Sequence, residues 1–75
     1  MHTDLVADVK TILANAIIEA KEESGLNGTE FARLAKIGQP DCSKILNGNL
    51  DRFAVQRLLT VVQNLGIKIK IETEH

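Results

Sequence analysis

Only Lys36 and Ile37 separate two short helical patterns, and that shortness constrains the chain more than any other feature in it. The first pattern, Gly28 to Ala35, carries Phe31, Ala32 and Ala35 at helical spacing, and Asn27 stands three residues before Glu30, a capping signature. The second opens at Gly38, with Pro40 in a first turn where a missing N–H costs nothing, and points Cys42 and Ile45 inward. It stops at Gly48. Asn47-Gly48 also fits a hairpin turn, but no strand pattern precedes it, so a glycine stop is the better reading. Helices joined this tightly must cross steeply, with Ile37 plugging the corner and Ala32 small enough to let them touch.

This is the helix-turn-helix arrangement, here spanning residues 28–48, whose second helix can enter the major groove of double-stranded DNA. The expected reading helix is 38–47, and its N-terminal residues meet base edges. Gln39 is the first candidate, because its amide can pair bidentately with adenine; the alternative is a capping or solvent-facing amide. Pro40 has no donor and could only touch a thymine methyl. Asp41 and Ser43 are expected to face outward, and Asp41, which repels phosphate, can serve DNA only by accepting from a cytosine amino group. Lys44 reaches a guanine or a phosphate, or is simply solvated. The N–H groups near Gly28 and Thr29 offer a helix N-terminus to a phosphate. Arg52 is a further phosphate candidate, with a surface ion pair as the alternative.

The motif is flanked by two longer patterns. From about Asp4 to Ser24, Leu5, Val9, Ile12, Leu13, Ala16, Ile17 and Ala20 recur at helical spacing, with Val6 and Ile18 widening the stripe toward a second subunit or toward solvent. After Gly48, Asp51 is a candidate N-cap for a helix with Phe53 as anchor and Val55, Leu58, Leu59, Val62 and Leu65 buried. Ile67 to Glu72 alternates between apolar and charged residues and reads as a short C-terminal β-strand over 67–72. A lone strand needs a neighbour. Pairing with its twin through Ile67, Ile69 and Ile71 in a homodimer is favoured over addition to a partner's sheet or a tail packed on the helices.

At 75 residues, the chain is expected to form one domain over 1–75, all-α with four to five helices and the short strand. A core of this size typically yields only about 3–5 kcal/mol, which makes association a natural supplement. The net charge of −1 is unevenly spread: residues 1–31 hold six acidic against two basic side chains, and residues 32–75 hold seven basic against four acidic. A basic side carrying the motif is one reading, and ordinary solvated charge the other. No signal peptide or membrane span is recognisable, and a cytoplasmic location is expected. The single cysteine, Cys42, is expected to be an inert buried thiol, and His2 and His75 have no partners for a metal site. No catalytic motif or cofactor loop is present, so the chain is not expected to be an enzyme.

Phe31, Ala32, Ala35, Ile37, Cys42 and Ile45 followed by Asn47-Gly48 resemble the Cro and phage-repressor helix-turn-helix family, also called XRE. Ile37-Gly38-Gln39-Pro40, Ser43, Leu50-Asp51-Arg52-Phe53, Leu58-Leu59 and Leu65-Gly66-Ile67 resemble its branch of HigA-type antitoxins and related small regulators, over roughly Leu13 to Ile71. The resemblance implies a sequence-specific transcriptional regulator that binds a pseudo-palindromic operator as a dimer. It further implies an antitoxin that represses its own operon and neutralises a ribonuclease toxin. Gln39 is a residue many members share, and Asn47 matches a position that contacts the backbone phosphate. Three positions depart from the family pattern: Gly28 replaces a phosphate-contacting glutamine, Lys36 replaces a turn glycine and calls for positive φ or a slightly different turn, and Asp41 replaces a basic or small polar residue. These departures favour the competing reading, a protein-interaction module of the same fold that has lost DNA binding.

Overall fold

The computed structural model describes residues 5–67, which form four α-helices: α1 (Leu5–Ser24), α2 (Gly28–Ala35), α3 (Gln39–Leu46) and α4 (Val55–Asn64). α1 is closed by Gly25 at φ +69, with the Ser24 hydroxyl donating to the Lys21 carbonyl at 2.7 Å and accepting from the Leu26 N–H at 3.1 Å. α2 begins as its capping pattern requires, the Asn27 side chain accepting from the Glu30 N–H at 2.9 Å.

Three helices end in the same way. Past α3, the N–H groups of Gly48 and Asn49 donate back to the carbonyls of Ile45 and Lys44; past α4, those of Gly66 and Ile67 donate to Gln63 and Val62. Past α2, the same two bonds run from Lys36 to Arg33 and from Ile37 to Ala32. This closure needs a left-handed residue. Glycine supplies it at Gly48 and Gly66, whereas Lys36 adopts it at φ 59, ψ 41, a conformation that costs an L-residue about 1–2 kcal/mol.

The core is Leu13, Ala14 and Ile17 from α1, Phe31, Ala32 and Ala35 from α2, Cys42 and Ile45 from α3, Phe53, and Leu58, Val61 and Val62 from α4. Among the described residues no charged or polar side chain is buried. α1 packs on α4 and α3, and α2 on α3 and α4, so the motif sits in a cradle of the two longer helices. Asn64 adds a polar tie, its amide donating at 3.0 Å to the Ala35 carbonyl at the end of α2, where the helix has no partner of its own to offer.

Several expectations are corrected. The described fold is four α-helices with no β-strand among the described residues, where a closing strand had been expected, and 68–72 of that expected strand lie outside them. Ile67, its first residue, is committed to the end of α4: its N–H bonds Val62 at 3.1 Å and its side chain packs on the core, which removes the donor a strand ladder would use. Ile69 and Ile71, also expected at a dimer seam, lie outside the described residues. Asp51 does not cap α4. It lies in a turn closed by the Phe53 N–H on the Leu50 carbonyl, and α4 starts after Ala54 without a side-chain cap. Ile12 and Leu59 point to solvent and Val61 takes the inward place, because both helices carry more apolar residues than one packed stripe can cover.

Candidate nucleic-acid interface

α3 is presented by its own sequence. Gly38 enters extended, Gln39 and Pro40 fill the first two helical positions, and Cys42 and Ile45 anchor the inner face at 2% and 0% exposure. That leaves Gln39, Pro40, Ser43 and Asn47 exposed on the outer face, with Lys44 half-buried beside them. Between this face and the start of α2 runs an open cleft of about 370 Å³, lined by Gly28, Thr29, Gln39, Ser43 and Asn47, with Cys42 and Leu46 completing it. Five of the sequence candidates therefore converge on one surface.

Polar contacts order this surface. The Gln39 amide donates to the Thr29 hydroxyl, joining the first turn of α3 to the first turn of α2. Beyond that bond an amide of this kind keeps a carbonyl acceptor and a second N–H donor. Asn47 donates weakly to Ser43 at 3.4 Å, one turn back along the helix. Because the Asn27 side chain occupies the Glu30 donor, the Gly28 and Thr29 N–H groups are left at the positive end of α2, beside the cleft.

Two candidates lie elsewhere. Arg52 is exposed in the turn before α4 and does not line the cleft. Asp41, expected to face outward, instead sits on the flank of α3 toward α4, half-buried, with its carboxylate paired to Arg57. The helical repeat explains the difference: Asp41 lies between the buried positions Cys42 and Ile45 around the axis and the half-buried Lys44, not on the arc of Gln39, Ser43 and Asn47. Arg57 was not singled out by the sequence. The one signal pointing to it is its spacing four residues after Phe53, over whose ring its guanidinium lies at 5.2 Å. Asp41 is too far away along the chain for any local pattern to reveal the pair.

Burial raises the pKa of the Cys42 thiol, and the charge of Lys21 lowers it in part. The thiol is thereby kept protonated, the opposite of what a reactive cysteine needs. No helix among the described residues is long and apolar enough to cross a membrane, and no group of histidine, cysteine or acidic side chains among them could hold a metal ion.

A solved structure bearing the name of an XRE family transcriptional regulator matches with a TM-score of 0.81 at 27% identity, over 93% of this chain and 79% of its own. No curated protein sequence matches. The family model described as a helix-turn-helix domain matches residues 3–74, nearly the whole sequence, and the chain belongs to that family.

Proposed function

We propose that this protein is a sequence-specific, DNA-binding transcriptional regulator that reads the major groove with α3. One observation carries the reading: the outer face of α3, led by Gln39, is polar and open, and it adjoins the positive end of α2 across a shared cleft. Gln39 addresses base edges with Pro40 beside it, and Lys44 reaches a guanine or a phosphate. Gly28, Thr29, Ser43, Asn47 and, from the neighbouring turn, Arg52 serve the backbone. The name carried by the matching solved structure supports the same class of function.

The protein acts as a homodimer, placing two copies of α3 about 34 Å apart on a pseudo-palindromic operator. Ile12, Leu34 and Leu59, large apolar side chains left 55%, 50% and 43% exposed, supply surface for such association. Resemblance to HigA-type antitoxins extends the proposal to a toxin partner, tested by co-purification with a toxin encoded beside it.

Selection from a random duplex pool tests the core reading, and an enriched inverted repeat is the expected result. On that site, log affinity should fall by about 0.9 per log unit of salt for each phosphate contact. Gln39→Ala should relax choice at one base, while Lys44→Ala should weaken all sequences alike if it meets phosphate. A flat salt response with no enriched sequence would instead favour the protein-interaction module, which the net charge of −1 and the Gly28 departure suit.

A further inference from the structure

The first turn of α3 is held from both sides. Gln39 bonds Thr29 on α2, and Asp41, two residues on, pairs with Arg57 on α4. Arg57 is in turn laid over the ring of Phe53, which is itself 2% exposed and anchored in the core. The Asp41 and Arg57 side chains are 30% and 52% exposed, so the pair lies at the surface, where such contacts add little to folding stability. Geometry is a different matter. A planar guanidinium fixed on an aromatic face and bonded to a carboxylate defines a direction, and here that direction ties the base-reading turn to α4.

We infer that Asp41 and Arg57 form a positioning strut that sets the angle of α3 against α4, and that neither is a DNA contact. The inference rests on the proposed reading of α3 and deepens it. It also reassigns the carboxylate. Its charge is neutralised in place by Arg57, so it neither repels the duplex strongly nor waits for a cytosine amino group.

The three roles open to Asp41 predict different signs. A carboxylate that repels phosphate gives tighter binding in Asp41→Asn, and a base reader loses choice at one position only. The strut gives uniform weakening, by about three- to tenfold, in Asp41→Asn and in Arg57→Gln, and the double variant is no weaker than either single one. Arg57→Lys recovers only part, because it keeps the charge and loses the plane. The salt slope stays that of the wild type, whereas loss of an Arg57 phosphate contact would lower it by about 0.9. Thermal midpoints are measured in parallel on all variants, and a strut that orients rather than stabilises leaves them close to wild type.

The duplex titrated is the one enriched by the wild-type chain. Failure of the wild type to enrich any sequence overturns the DNA-binding reading and this inference with it. Wild-type binding combined with unchanged or tighter binding by Asp41→Asn, a single-base effect, additive losses, or a reduced slope in Arg57→Gln overturns the strut alone.

Discussion

The motif helices and the helices that cradle them use their apolar residues differently. In α2 and α3 the inward positions read from spacing, Phe31, Ala32, Ala35, Cys42 and Ile45, are all buried to 2% exposure or less. In α1 and α4 the same reading places Ile12 and Leu59 inward, and they stand 55% and 43% exposed. A short helix fixed by a cap, a steep turn and a helix stop has one way to face its neighbours. A longer helix with surplus apolar residues can be rotated by some tens of degrees and still present a credible stripe, so only the packing partners choose. The lesson is that local punctuation, more than hydrophobic content, makes a buried face legible.

That contrast can be broken most directly by truncation. Phe31→Ala should destabilise the fold by about 3–5 kcal/mol, enough to unfold a domain of this size, as read by far-UV circular dichroism. Ile12→Ala and Leu59→Ala should each change chemical-denaturation stability by no more than about 0.5 kcal/mol at dilute, monomeric concentration. A much larger loss at either site would mean that the surplus is covered after all. At higher concentration such a loss, accompanied by a falling sedimentation coefficient, would assign it to the homodimer.

The claim that caps and stops set the motif is sharpened by smaller changes. Asn27→Ala removes the side-chain acceptor for the Glu30 N–H and should lower stability by about 1 kcal/mol. Lys36→Gly should act in the opposite direction, raising stability by up to about 1 kcal/mol, because relief of the left-handed conformation outweighs the greater freedom of glycine in the unfolded chain. A lowered midpoint for Lys36→Gly would show that the lysine side chain contributes more than its backbone costs.

The smallest effect concerns Cys42. Its pKa is raised in the folded state, so its neutral form is the one the fold favours. That contribution is complete below the pKa of the unfolded thiol and is lost as pH rises through the folded value. Stability should therefore decline on the alkaline side, and less so in Cys42→Ala when each is compared with its own neutral-pH midpoint. Labelling by a thiol reagent in native conditions should be slow and should accelerate with denaturant.

Much of the candidate surface was legible for the same reason as the motif. Gln39, Ser43 and Asn47 share an arc opposite Cys42 and Ile45, and periodicity alone places them outside. Gly28 and Thr29 follow from the Asn27 cap. Asp41 lies off that arc, on the flank between Ile45 and Lys44, where the packing of α4 decides between solvent and an ion pair. The alternation after Gly66 reads as a strand in sequence, but such a pattern carries no record of whether a pairing partner exists. At its first residue, the end of α4 claimed the backbone donor instead.

The amino-acid sequence alone determined the two short helices, the tight turn between them and the polar outer face of α3. These depend on contacts within a few residues of one another, where spacing and side-chain type are sufficient. Tertiary structure decided which flank of α1 and α4 is covered, that Asn64 closes the end of α2, and that Arg57 on its Phe53 platform takes Asp41. Those outcomes depend on distances between segments remote in the chain, and such distances exist only once the helices have packed.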